Sequence, residues 1–368
     1  MIVAARQRLE DGRWRPGGVR VEAGRIVELC PVSGGEGCLT PGLIDLQSNG
    51  AFGIDFATAD VAGFHHALAG LARRGTTALL PTSITAPIPA LLASLDGCQA
   101  ARSALQGEAV ARILGTHLEG PFLSEARRGA HRADWLTAPT AGSLQPLLDH
   151  PALAMMTLAP ERDGALAAIR ALISQGICVS IGHTDATAAQ VTAAADAGAR
   201  LVTHLFNAMR PFEHRDPGVP GAALTDPRLT CGLIGDLAHV HPLACRVAFQ
   251  AAAGRIALVS DSILLAGLPP GTRAEFGGLA VTLDGSGLGR RADGTISGAG
   301  TLLDETVRRL IGTGLDSALV LDAATRVPAE ALGRGDFGRI AVGGWADLVL
   351  WDEAWRPVRV WVAGQEVA

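Results

Sequence analysis

Glu119, His183, His204 and Asp261 each follow a short apolar run: ARILGTHL, ICVSIG, RLVT and IALVS. Apolar runs of that length, bounded by glycine and polar residues, read as buried parallel strands. A polar residue at the C-terminal end of such a strand faces the mouth of a barrel or sheet, where ligands bind. One such residue carries little information, but four on four separate strands point to one assembled site. Glu119 with His183 and His204 makes a set of one carboxylate and two imidazoles, suited to Zn²⁺ or Fe²⁺ with positions left for water and substrate. Such an ion lowers the pKa of a bound water toward ~7, and Asp261 beside it could take the proton. These residue types are those of a mononuclear metal hydrolase. Each also has a plainer reading. A lone histidine can fill a polar gap in a core, Asp261 could cap a helix after the last strand, and Glu119 could brace the Gly120–Pro121 turn. The shared strand-end placement outweighs these alternatives.

Further residues surround this set in the sequence. His117 lies two residues before Glu119, so in an extended chain both point to one face; it is either a partner of the site or a packed neutral ring. Arg215 sits in NAMRPFEHRDPG, a loop rich in turn formers. With Asn207 and the main chain near Ala208 it could grip an anion such as phosphate. On spacing alone, a surface ion pair of Arg215 with Glu213 or Asp216 comes first. His131 and His239 fall in loops, where a histidine is ordinarily solvated, and sequence physics alone gives them no role. His241 is either solvated or near the start of a helix, and His65–His66 fall on a helical stretch.

Eight candidate strands position these residues: Leu43–Leu46, Thr77–Leu80, Arg112–Thr116, Ala154–Leu158, Ile177–Ile181, Leu201–Thr203, Thr230–Ile234 and Ile256–Val259. Ala/Leu-rich helical runs such as GALAAIRALISQG and ATAAQVTAAADAGA follow several of them, and Gly176 suits a helix C-terminus. Eight strand–helix units predict an α/β fold, a (β/α)8 TIM-like barrel. The chain ends read differently. VRVEAGRIVEL alternates and turns at Ala23–Gly24 as a hairpin would, and RIAVGGWADLVLWD with VRVWVAGQEV also reads as β. Residues 1–41 and 335–368 are therefore expected to form one small flanking β-sandwich domain beside a 42–334 barrel. The stretch 267–298, with EFGGLAVTL, fits no barrel repeat and is expected to be a hairpin insertion.

The 368 residues suffice for a barrel with a small extra domain. A net charge of −5 carries no basic field and argues against a nucleic-acid binder. Lysine is absent, so the chain can build neither a carbamylated lysine bridging two metals nor a lysine Schiff base. Six cysteines without a CxxC pair suggest reduced core residues and a cytoplasmic setting. No charged-then-apolar leader follows Met1, and no apolar stretch is long enough to span a bilayer.

The segments PGLIDLQSNG, GTTALLPTSIT, THLEGPF, RGAH, TLAPE, GHTDAT, THLFNAM, HRDPG, LAHVH and LVSDS occur in this order. Together they resemble the N-acetylglucosamine-6-phosphate deacetylases of the amidohydrolase superfamily, over nearly the whole chain. THLEGPF, GHTDAT and THLFNAM carry the specificity jointly. The resemblance implies that Glu119, His183 and His204 hold one divalent metal, Zn²⁺ first and Fe²⁺ as the alternative, and that Asp261 is the catalytic carboxylate. It implies that His131 contacts the substrate near the acetyl group, and that Asn207, Ala208, Arg215 and His239 hold the sugar phosphate. In this family the phosphate-binding arginine can come from the neighbouring subunit, which implies a homodimer. The implied reaction is hydrolysis of the acetamide of N-acetyl-D-glucosamine 6-phosphate. An epimeric N-acetylhexosamine 6-phosphate, or a non-catalytic sugar-phosphate-binding barrel, are the alternatives. Two departures stand out. Gln47 and Asn49 occupy the His-x-His positions that hold a second metal in many amidohydrolases, and neutral amides are poor ligands for Zn²⁺, so one metal is expected. SGAGTLLDE replaces the more usual SGSSLTMDE-like segment.

Overall fold

Eight apolar runs pair side by side in the computed structural model, which describes residues 1–31 and 35–368. They are β1 (Leu43–Ser48), β2 (Thr76–Ile84), β3 (Arg112–Ile113 and Thr116–Glu119), β4 (Leu153–Leu158), β5 (Cys178–Ile181), β6 (Leu201–Val202), β7 (Thr230–Ile234) and β8 (Ile256–Val259). All pairings are parallel and run in chain order from β1 to β8. The ring closes where the Asp261 N–H donates to the Gln47 carbonyl at 2.9 Å and Ser48 bridges Ser262.

A helix follows each strand: α1 (Val61–Arg73), α2 (Ile88–Ala104), α3 (Ala141–Leu148), α4 (Ala165–Ser174), α5 (Ala188–Ala197), α6 (Gly218–Thr225), α7 (Pro242–Ala251) and α8 (Leu303–Gly312). Their ends follow local chemistry. Thr187 and Gln190 form a capping box at the start of α5, and α4 stops before Gly176, which takes a left-handed φ of 75°. Ile44, Leu46, Leu80, Met155, Ile234 and Val259 pack inside the barrel, and the outward faces of the strands pack on the helices. The interior is a filled core, so only the strand ends are left to carry a site. The result is the (β/α)8 barrel that the sequence predicts.

Strands from both chain ends build the flanking β structure. A three-stranded antiparallel sheet holds Ile2–Val3, Gly18–Glu22 and Arg25–Cys30. Its hairpin turns at Ala23 and Gly24, both at positive φ, as predicted. A six-stranded sheet sets Cys38–Pro41 between Gln7–Glu10 and Leu348–Trp351. Val19, Ile26, Leu39, Leu348 and Trp361 share one core with them.

Several elements differ from the sequence reading: β1 extends to Ser48 and β2 to Ile84, beyond the predicted Leu46 and Leu80. β3 reaches Glu119 instead of stopping at Thr116, because polar His117 and Glu119 mask the end of the strand. The insertion is a four-stranded antiparallel meander, Arg273–Phe276, Leu279–Leu283, Leu288–Arg290 and Ile296–Ala299, instead of one hairpin. Its last two strands, LGR and ISGA, carry too few apolar residues to be recognised. Its final strand is bonded to the Asp261 segment: Ala299 N–H donates to the Asp261 carbonyl at 2.8 Å, and Ile263 N–H to the Ala299 carbonyl at 3.0 Å. Among the described residues, no helix is long and apolar enough to cross a membrane.

Candidate active site

Glu119 ends β3, while His183 and His204 stand just beyond β5 and β6. One ligand atom from each lies within 4.8 Å of the others, and all three residues are buried. Glu119 Oε1 is 3.0 Å from His204 Nε2 and 3.3 Å from His183 Nε2, and the two Nε2 atoms are 3.0 Å apart. His183 Nδ1 sits 3.0 Å from the Arg127 carbonyl oxygen. Only an N–H can donate there, so the His183 proton is on Nδ1 and Nε2 keeps its lone pair for the site. An imidazole lone pair, a second imidazole nitrogen and a carboxylate oxygen converging in a buried space form a donor set for a cation. Burial works to raise the Glu119 carboxyl, but the hydrogen bonds and charge of His183 and His204 hold it well below the usual carboxylate range.

The backbone bends sharply to aim these groups. His183, His204 and Asp261 have φ of 47°, 29° and 49°, a left-handed conformation that non-glycine residues rarely adopt. Each costs on the order of 1–3 kcal/mol, and such strain collects at functional sites. Gly182 precedes the first of them because a Cβ there would come within 2.6 Å of Thr203 Cβ on the neighbouring strand end.

Asp261 is tied to the ligand set through Gln47. The Gln47 Nε2 amide donates to Glu119 Oε1 at 2.8 Å and to Asp261 Oδ1 at 3.2 Å, and Asn49 Nδ2 donates to the same Oδ1 at 3.1 Å. One neutral amide thus bridges two carboxylates. Burial, and then the charge of Glu119, push the Asp261 carboxyl up to about 7. Asp261 caps no helix and Glu119 does not brace the following turn, so neither plainer reading of these residues applies.

His131 Nδ1 accepts the Thr85 N–H at 3.3 Å, with Thr85 Oγ1 at 2.8 Å. Its own N–H is therefore on Nε2, which lies 3.7 Å from Glu119 Oε2. Burial, and then the charge of His183, hold His131 well below the ordinary histidine value, so the ring is neutral. His239 donates Nδ1–H to Asp236 Oδ2 at 2.7 Å, and its buried Nε2 has no partner among the described residues. Glu119, His131, His183, His204 and His239, with Asn49, Asn207, Ala208 and Asp261, line a cavity of about 430 Å³, a size suited to a small ligand. Phe276 and the Ile296–Gly298 stretch of the insertion also line it. A neighbouring cavity of about 730 Å³ shares only Ile84 and Phe276 with it and contains none of the titratable groups just described.

Other residues fall outside this constellation. Arg215 is exposed on the loop after β6 and does not line the cavity. Among the described residues it forms no ion pair with Glu213 or Asp216; Arg210 takes Asp216 instead, at 2.8 Å. His117 is a packed ring bonded to Thr157 Oγ1 at 2.8 Å and facing Thr82 Oγ1 at 3.3 Å, with burial lowering it to about 4. His241 caps α7 through Nδ1. Sequence reasoning missed Thr85, the Arg127 carbonyl and Asp236. Asp236 follows β7 and Thr85 follows β2, so the strand-end rule that found Glu119, His183 and His204 could have found both.

The profile of the amidohydrolase family matches residues 38–367. The zebrafish (Danio rerio) N-acetylglucosamine-6-phosphate deacetylase is 37% identical over 350 residues, covering 89% of this chain and 84% of that protein. An Escherichia coli N-acetylgalactosamine-6-phosphate deacetylase is 34% identical, covering 99% and 98%. A solved structure of a mutant N-acetyl-D-glucosamine-6-phosphate deacetylase from Mycobacterium smegmatis, in complex with N-acetyl-D-glucosamine-6-phosphate, superposes with a TM-score of 0.92 at 34% identity. It covers 100% of this chain and 99% of that one. A barrel whose strand ends converge on one carboxylate and two imidazoles, matched by that profile from the flanking sheet to the last strands, belongs to the amidohydrolase family.

Proposed function

We propose that this protein hydrolyses the acetamide of N-acetyl-D-glucosamine 6-phosphate to glucosamine 6-phosphate and acetate. The observation that carries this reading is the convergence of Glu119, His183, His204, His131 and Asp261 on one cavity in a chain similar throughout to deacetylases of that substrate. Glu119, His183 and His204 would hold one divalent ion, Zn²⁺ first and Fe²⁺ second, which supplies Lewis acidity toward water and the acetyl carbonyl. The Gln47 amide between Glu119 and Asp261 supports a single ion.

Asp261 takes the proton of the attacking water and returns it to the amine nitrogen as the C–N bond breaks. Its Oδ1 is engaged by Gln47 and Asn49, so Oδ2 is the atom for that transfer. His131 donates Nε2–H to the carbonyl oxygen as it gains negative charge. Asn207, the main chain at Ala208, and His239, which donates to phosphate only with a proton on Nε2 as well as Nδ1, hold the sugar phosphate, and Arg215 of a neighbouring subunit completes the grip. The exposure of Arg215 away from its own cavity supports a homodimer. Six free cysteines support a reducing, cytoplasmic setting. Residues 1–41 with 335–368 are read as one small domain and 42–334 as the catalytic barrel.

The galactosamine epimer is the second reading, favoured by the Escherichia coli relative that spans nearly the whole chain. Kinetics of the Zn²⁺-loaded protein on both epimeric 6-phosphates decide between them by kcat/KM. Asp261→Asn is expected to keep its metal and lose about 10²–10⁴ in kcat. Turnover at the unmodified rate in that variant would overturn the mechanism.

A further inference from the structure

Two of the strand-end loops at the site are tied together by one carboxylate that takes no part in the proposed chemistry. Asp185 lies two residues after His183. Its Oδ1 accepts Arg127 Nε–H at 2.8 Å, and its Oδ2 accepts Arg210 Nη2–H at 3.0 Å. Arg127 leads to the metal end of this site, and Arg210 to the loop whose Arg215 is proposed to serve the neighbouring subunit's site. The Arg127 carbonyl receives the His183 Nδ1–H, so its placement fixes the ring that presents Nε2 to the ion. Arg210 reaches on to Asp216 Oδ2 at 2.8 Å, next to Arg215. Main-chain bonds run alongside: Arg210 N–H to the Thr184 carbonyl and Thr184 N–H to the Ala208 carbonyl, both 3.2 Å. The segment itself is braced, since Glu161 accepts the Asp185 N–H at 2.7 Å and the Thr184 hydroxyl.

We propose that Asp185 is a positioning residue that couples the metal end of the site to the loop carrying Arg215. The inference rests on the reading that Glu119, His183 and His204 hold a metal and that Arg215 grips phosphate. Asp185 touches neither ion nor substrate. One oxygen steadies the Arg127 carbonyl, and the other steadies the Arg210–Asp216 arm, so two separable functions meet in one side chain. Half-exposed ion pairs contribute little to stability. Loss of Asp185 is therefore read in function more than in folding.

The test uses the full chain with Asp185→Ala, Arg127→Ala and Arg210→Ala. Zn²⁺ affinity of the metal-free proteins is measured by competition with a chromophoric chelator. KM is measured with Zn²⁺ saturating, on N-acetylglucosamine with and without its 6-phosphate. Arg127→Ala is expected to weaken Zn²⁺ binding about threefold to tenfold, at or below the low end for loss of an outer-shell partner, and to keep the preference for the phosphorylated sugar. Arg210→Ala is expected to erode that preference and keep Zn²⁺ affinity. Asp185→Ala, which removes both acceptors, is expected to do both, with an unchanged melting temperature. The coupling is overturned if Asp185→Ala moves only one quantity or neither, or if both arginine variants move both. An unmodified protein that binds no Zn²⁺, or shows no preference for the phosphate, counts against the proposed function instead.

Discussion

A single hydrogen decides what His131 can do. The Thr85 main-chain N–H fills Nδ1, which leaves the ring a donor at Nε2. His131→Ala is therefore expected to cut kcat by about 10²–10³, the usual loss for an oxyanion donor, with a smaller change in KM. Steady-state kinetics on the Zn²⁺-loaded variant check this; a loss confined to KM would assign His131 to binding alone. With Asp261 as the proposed base, the pH dependence follows from it. A base must be unprotonated, so kcat/KM is expected to fall as pH drops through its pKa. Burial and the Glu119 charge place that value at about 7 in the metal-free site, and a bound cation draws it lower. An acid limb above pH 8 would contradict the assignment. The convergence of Glu119, His183, His204 and Asp261 was legible in the sequence because each follows an apolar strand. His131 and His239 were not legible from residue physics, because their orientation is set by Thr85 and Asp236, and a histidine in a loop does not reveal its partner.

The strand ends nearest the chemistry were the hardest elements to delimit. β1, β2 and β3 all run past the apolar residues that mark them, into Gln47 and Ser48, into Thr82 and Ser83, and into His117 and Glu119. Polar residues that line a site interrupt the pattern that signals a strand. Asp45 shows what holds two such ends together. It is buried on β1, and its Oδ1 accepts the N–H of Gln47 and of Ser260, both at 3.2 Å, while the Ser260 hydroxyl donates to Oδ2. Burial raises this carboxyl to about 7, against the pull of the Ser260 bonds. The folded protein then holds a proton that the unfolded chain releases near pH ~3.9. The associated stability is complete below that value and lost as pH rises toward about 7, amounting to about 4 kcal/mol at most. Asp45→Asn, neutral throughout, is expected to flatten the fall in melting temperature between pH ~4 and ~7. Equal slopes in both proteins would remove Asp45 from this role.

At the scale of the whole molecule, the position of Arg215 makes the assembly testable. If each site uses its own Asp261 and the arginine of its neighbour, Arg215→Ala is expected to raise KM for the phosphorylated sugar far more than for the free sugar. Mixing Asp261→Asn and Arg215→Ala subunits is expected to restore activity on the phosphorylated sugar, because one of the two sites in a mixed dimer is then intact. Failure to recover activity, with mixed dimers demonstrated, would confine Arg215 to its own subunit. The joining of the chain ends also bears on biosynthesis. Trp351 Nε1 bonds Thr40 Oγ1 across 311 residues, and Cys38–Pro41 has Leu348–Trp351 as its second sheet neighbour. At about 5–20 residues per second, the ribosome delivers that neighbour roughly 15–60 s after the first strands emerge. Throughout that interval one edge of the nascent sheet stays open to pairing with other chains, so shielding of this edge by a chaperone would matter most while the barrel is still being translated.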